Sequence, residues 1–187
     1  ITPLEMQSFL KGAVEGDILL VQNEIGGMRE LLNMAKTMGL RVCFNPSPAI
    51  HDDWKCEEYQ CEWLILNEHE FGHICKLYNI ETNPNEKRMR DLKIKLDCDN
   101  LISSFGANGV IGLDNAGQVV TARAPKVTVV DTVGAGDCLA GYFAASMAKQ
   151  LPFQESLKIA TKAASLKVTK YGAFNGIPFE QEILLHD

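Results

Sequence analysis

The chain has 187 residues and a formal charge of −6, from 18 basic and 24 acidic side chains. Hydrophobic residues make up 46% and charged ones 22%, which excludes a disordered or fibrous chain. No apolar run is long enough to span a membrane, and no basic run marks a nucleic-acid partner.

The first element starts on a strong signal. Thr2 is a good N-cap, Pro3 suits the first helical position and Glu5 completes a capping box. The helix is expected to carry Leu4, Phe9, Leu10 and Val14 and to stop near Gly16. Ile18 to Val21 reads as a fully apolar strand. Gly26 and Gly27 break the chain before a helix over Met28 to Met38. Arg41 to Phe44 is a second strand, closed by Asn45-Pro46-Ser47-Pro48. Trp63 to Leu66 is a third, followed by helices around 67–78 and 84–97. Leu101 to Phe105 is a fourth strand. Val110 to Leu113 and Val119 to Ala122 form a hairpin about Asp114-Asn115-Ala116-Gly117. Helices over Ala135 to Lys149 and Phe153 to about Val168 close the pattern.

The strands are continuous apolar runs separated by helices long enough for crossovers. That pattern predicts an α/β fold, a mainly parallel sheet with helices on both faces and a small β-hairpin. No repeat, low-complexity tract or linker divides it, so residues 1–187 read as one domain. In such sheets ligands sit beyond the carboxyl ends of the strands. Chemistry is therefore expected at five turns, 22–24, 45–48, 67–70, 106–109 and 131–137.

The last turn is the most informative. Val127 to Val130 is apolar and β-branched, and Asp131-Thr132-Val133-Gly134-Ala135-Gly136-Asp137 follows it into a helix. Such a turn offers backbone N–H groups and the positive end of a helix dipole to an anion, phosphate especially. The P-loop is excluded because no Lys-Ser/Thr follows the glycines. The dinucleotide fingerprint fails at Leu139. Asp137 at the edge of an anion hole suits a base for an attacking hydroxyl. The plainer alternative is an aspartate that caps the helix.

At this turn DTVGAGDCLAGYFAA resembles the C-terminal signature of the ribokinase-like, or PfkB, carbohydrate kinases. Asn67-Glu68-His69-Glu70 is similar to the family's N-x-x-E motif, and Ser104 to Val110 to its nucleotide loop. Gln22-Asn23-Glu24, Asn45-Pro46-Ser47-Pro48-Ala49 and Val168 to Ala173 resemble further family stretches, in the family's order. The resemblance implies ATP-dependent phosphorylation of a sugar hydroxyl, ribose to ribose 5-phosphate fitting best, in the cytoplasm or the nucleus. Fructokinase and adenosine or other nucleoside kinases are the alternatives. Asp137 would be the catalytic base and touch the sugar. Gly134, Ala135 and Gly136 would form the anion hole, and Glu24 would bind sugar hydroxyls. Asn67, Ser104, Gly106, Gly109 and Thr161 would line the ATP site, and Glu70 would hold Mg²⁺ through water. K⁺ would lie among Asp131, Val133 and the carbonyls of Lys167, Lys170 and Gly172.

Four departures stand out. Ser104 replaces a usual threonine, Thr161 a usual Asn or His, and Gly176 a serine that often ligates the cation. The family's N-terminal sugar-binding aspartate, its glycine-rich stretch and the small lid that commonly forms a homodimer are not found here. With Ile1 in place of Met, the chain reads as the C-terminal portion of one kinase domain. It is expected to bind ATP-Mg²⁺ weakly and to phosphorylate ribose negligibly. A non-catalytic nucleotide-binding truncation is thus a second reading.

His69-Glu70-Phe71-Gly72-His73 is a literal H-E-x-x-H, which would make a zinc peptidase with Glu70 as base. The extended form fails at Lys76 and Asn79, and Glu70 is also claimed by the N-x-x-E motif. The six cysteines form no C-x-x-C pair, so reduced thiols are expected, several of them buried as small hydrophobes. Cys56, Cys61, His51 and Cys75 match no zinc module, and Trp54, Tyr59 and Trp63 read as packing residues.

Overall fold

The computed structural model describes residues 1–47, 60–96 and 98–185. Pro48, Ala49, His51, Trp54, Cys56 and Tyr59 lie outside them, so the readings made on those residues do too.

In chain order the elements are α1 (Pro3–Phe9), β1 (Ile18–Gln22), α2 (Met28–Thr37), β2 (Arg41–Asn45), β3 (Trp63–Asn67), α3 (Glu68–Leu77), α4 (Glu86–Leu96), β4 (Asn100–Ser104), β5 (Val110–Leu113), β6 (Val119–Ala122), α5 (Ala135–Ala148), α6 (Phe153–Lys167) and α7 (Glu180–Leu184). One six-stranded sheet runs in the order β1-β2-β3-β4-β5-β6. β1 pairs with β2 in parallel from Ile18↔Arg41 to Gln22↔Asn45, and β2 pairs with β3 in parallel at Cys43↔Trp63 and Phe44↔Leu64. The expected parallel sheet with helical crossovers is present.

Residues 1–103 with 113–119 form one compact unit, and 104–112 with 120–187 form a second. In the first, β2, β3 and β4 each bury four consecutive residues. Successive side chains point to opposite faces, so these strands are covered on both sides. That is why β2 and β3 read as apolar runs, while β4 buries Asn100 and Ser103 beside Leu101 and Ile102. β1 differs. It alternates, with Leu19 and Val21 buried and Leu20 exposed, as an edge strand with one wet face can. Four apolar residues in a row had suggested full burial.

The capping box of α1 forms as expected. Thr2 Oγ1 accepts from the Glu5 amide at 3.3 Å, and Glu5 Oε2 accepts from the Thr2 amide at 2.7 Å. The helix is shorter than expected, however, and ends at Phe9. Only Met6 and Leu10 are buried, while Leu4, Phe9 and Val14 face solvent. The apolar periodicity beyond Phe9 has no core to pack against, and packing is what extends a short helix.

In the second unit, α5 and α6 pack through Phe143 and Phe153, whose rings meet edge-on at 5.8 Å. Cys138, Ala163, Leu166 and Ile183 join α5, α6 and α7 in one apolar cluster. α7 was not anticipated. It is five residues long and buries only Ile183, too short for a periodic signal. Ion pairs from Lys149 to Glu180 and from Lys170 to Glu182, each at 2.6 Å, tie it to its unit. No described helix is long and apolar enough to cross a membrane.

Candidate functional site

The glycine turn opens α5. Gly134 is the N-cap, left-handed at φ 79°, and Ala173 crowds it, so a Cβ there would lie 3.3 Å from that residue's backbone. A residue with no side chain suits both conditions. No side chain caps the first-turn amides of α5. Asp137 is the third helical residue and is exposed, so it is not the N-cap of the plainer alternative. One member of the expected anion hole is already engaged. The Ala135 N–H donates to the Thr132 carbonyl at 3.2 Å, which leaves the later amides of the turn as the better donors.

Beside this turn lies a cavity of about 380 Å³ within the second unit. Ala135, Gly136 and Leu139 of α5 form one wall. Ser104, Gly106 and Gly109 form a second, and Thr161, Ala164 and Ser165 of α6 a third. Four of the five residues expected around ATP therefore line one space, together with Thr132, Ala135 and Gly136 of the turn. Its size falls in the range of small-molecule sites. Gly109 is dictated by its neighbours. At φ 86°, a Cβ there would lie 2.1 Å from the Ala122 carbonyl oxygen. Thr161 sits on the wall, but its hydroxyl donates to the Leu157 carbonyl at 2.7 Å inside its own helix. Ser165 does the same to Thr161 O at 2.9 Å.

Asn67 and Glu70 belong to the first unit and are not on that cavity. They form the cap of α3. Asn67 Oδ1 accepts from the amides of His69 and Glu70, both at 2.9 Å. Glu70 replies, its Oε2 accepting from the Asn67 amide at 2.8 Å and its Oε1 from Asn67 Nδ2 at 2.9 Å. Asn45 reaches the same carboxylate at 3.5 Å and takes a hydrogen bond from Gln22 at 3.0 Å, so the ends of β1, β2 and β3 meet here. Glu70 is 6% exposed. Burial pushes its carboxyl above the usual range, against the opposing pull of hydrogen bonds from Asn67, Ser47 and Asn45. Glu24 sits apart from this network, exposed on the turn after β1.

Among the described residues no three His, Cys, Asp or Glu side chains gather as a metal cage. The Glu70 site offers no such cage. It does not suit zinc hydrolysis. His69 is 90% exposed, and the Glu70 carboxylate is bound to its own cap.

The third cluster surrounds Asp131. Its Oδ1 accepts from the Val133 amide at 3.0 Å and its Oδ2 from the Gly172 amide at 2.8 Å. These bonds, with the charge of Lys167, hold its carboxyl below the usual range. The Lys167 carbonyl accepts from the Lys170 amide at 3.1 Å, and the Lys170 side chain turns away to Glu182. The Lys167 side chain turns in, and its Nζ donates to the Asp131 carbonyl at 2.9 Å. Sequence reasoning took only the carbonyl of Lys167 and missed its ammonium. With that charge inside the cluster, K⁺ fits these residues poorly.

The five described cysteines are all free thiols. Cys43, Cys75, Cys98 and Cys138 are buried and Cys61 is partly so. Burial pushes Cys43 up to about 12 and Cys138 to about 11.

The glycine turn that opens α5 thus lies beside a cavity of small-molecule size in a parallel α/β fold. The model of the pfkB family of carbohydrate kinases matches residues 13–180, and the chain belongs to that family. A ribokinase of Lactococcus lactis subsp. lactis is 32% identical over 171 residues, covering 90% of this chain and 53% of that protein. The crystal structure of ribokinase from Thermotoga maritima superposes with a TM-score of 0.78 at 32% identity, over 90% of this chain and 55% of that one. Arabidopsis thaliana ribokinase, solved with ribose and ATP, superposes with a TM-score of 0.78 at 25% identity, over 89% of this chain and 54% of that one. The chain thus spans about half the length of the curated relatives it matches.

Proposed function

We propose that this chain carries the nucleotide-binding and phosphoryl-transfer portion of an ATP-dependent sugar kinase, with D-ribose as the acceptor. The observation that carries the reading is that Ala135 and Gly136 of the glycine turn line the cavity also lined by Ser104, Gly106, Gly109 and Thr161. The ribokinase relatives favour ribose over fructose or a nucleoside.

Asp137 takes the proton from the attacking hydroxyl, placed for it by its exposed position in the first turn of α5. The uncapped amides of that turn and the helix dipole stabilise charge developing on the transferred group. The apolar walls, Val110, Ala164 and Val168 among them, exclude water from the base and ribose of the nucleotide. Asn67 fixes the Glu70 carboxylate, which would hold a hydrated Mg²⁺ through water; bound there, that ion would offset phosphate charge. Glu24, exposed beside the strand ends, receives sugar hydroxyls. Cytoplasmic residence and dimerisation through a lid, as the family resemblance implied, belong to the same proposal.

The test is calorimetric titration with ADP and ATP, with and without Mg²⁺, followed by an acceptor screen with ribose, fructose and nucleosides. Nucleotide binding by the chain, lost on Gly136→Val, supports the reading. No nucleotide binding by a folded chain overturns it. Turnover on ribose by this chain, abolished by Asp137→Asn, would overturn the expectation that it phosphorylates ribose negligibly.

A further inference from the structure

Lys167 is 0% exposed, the only lysine or arginine buried so fully among the described residues. Burying an ammonium is costly unless acceptors or opposite charge receive it. Here the Asp131 carbonyl takes a hydrogen bond at 2.9 Å, and the Asp131 carboxylate is held in the same loop by the amides of Val133 and Gly172. Asp131 does bond Val133, Gly172 and Lys167, but through their N–H groups, and Lys167 brings its own positive charge. Gly176 explains how the stem fits. A Cβ at 176 would lie 3.2 Å from Lys167 Cε and 2.9 Å from the Gly172 carbonyl oxygen. An oxygen-bearing side chain at 176 and a lysine stem at 167 compete for one space.

We propose that the Lys167 ammonium is a tethered cation that replaces a bound monovalent metal ion. It draws the Asp131 carbonyl inward and balances the Asp131 carboxylate. That sets the entry to the Gly134 turn, because Asp131 Oδ1 holds the Val133 amide one residue before it. Order in this loop then comes from the chain and not from K⁺ in solution. The inference rests on the nucleotide reading only where nucleotide binding is used as a readout.

The experiment compares thermal unfolding and ADP binding in KCl and in choline chloride at equal ionic strength. The wild-type chain is expected to melt within about 1 °C in the two salts and to bind ADP with affinities within about twofold. Lys167→Ala, which removes the charge and opens room for an ion, should melt several degrees lower in choline chloride and recover in KCl. Lys167→Met, which removes the charge and keeps the stem, should stay low in both salts. A K⁺-specific rise of the wild type by about 5 °C, or an unaltered Lys167→Ala variant insensitive to K⁺, overturns the proposal. If neither variant folds, the wild-type comparison decides alone. If ADP binds in neither salt, the nucleotide reading fails while melting still answers the cation question.

Discussion

Two helices of this molecule open on the same plan and use it in opposite ways. Both α3 and α5 carry an acid three residues after the N-cap, Glu70 and Asp137. In α3 the cap is Asn67, whose side chain bonds the first amides while the acid folds back onto it. The result is a closed box with a buried carboxylate. In α5 the cap is Gly134, which has no side chain to bond the first amides, and the acid is exposed. The residue at the cap decides whether a side chain covers the helix start or leaves it open, as the proposed function requires.

The largest expected effect tests the open turn. In an active kinase form, Asp137→Ala should lower turnover by about 10³-fold, with ATP affinity changed by less than about threefold. Steady-state kinetics beside calorimetry measures both, and unchanged turnover removes Asp137 from its role. The closed turn should answer in stability instead. Asn67→Ala removes a cap and strands the Glu70 carboxylate, and urea unfolding should show a loss of about 2–3 kcal/mol. Asp137→Ala in the same assay should move stability by less than about 0.5 kcal/mol. Gly134→Ala sits between them, since a left-handed alanine should cost about 1 kcal/mol in the same assay and weaken ADP binding as well. Were Gly134→Ala harmless to both, the glycine cap would not be what keeps the turn open.

A smaller effect concerns pH. Burial raises the Glu70 carboxyl in the folded chain above its unfolded value. Its contribution is therefore present at low pH and is lost as pH climbs from about 4.3 through the folded value. Glu70→Gln, which does not ionise, should gain on the wild type over that window in thermal melts, and a flat difference would contradict the burial argument. The smallest effect is chemical. Cys43, Cys75, Cys98 and Cys138 should react with a thiol reagent at neutral pH more slowly than Cys61, as peptide mapping would show.

Much of this was legible in the sequence, for identifiable reasons. β2 and β3 are buried on both faces, so burial itself writes them as apolar runs. The glycine turn was legible because glycine at 134 answers a backbone demand, and the loop at 104–109 likewise through Gly109. Three of the four missed features share a cause. The end of α1, the wet face of β1 and the presence of α7 depend on which surfaces other elements cover, and no local pattern records that. The Lys167 ammonium was hidden because a motif position tells which backbone group is near, not where a long side chain turns. Asp131, by contrast, was found at the centre of its loop as its place in the turn suggested.

The hydroxyls of Thr161 and Ser165 spend their protons on their own helix, at 2.7 and 2.9 Å. The wall that α6 turns to the cavity thus offers methyl and methylene groups in place of donors. Such a surface recognises a flat ring by its outline and polarisability, and pays little attention to which edge of the ring carries an amine or a carbonyl. Under the proposed function, α6 would then hold the base by shape, and any donor to its edge would have to come from another wall, where Ser104, Lys126 and Thr132 lie.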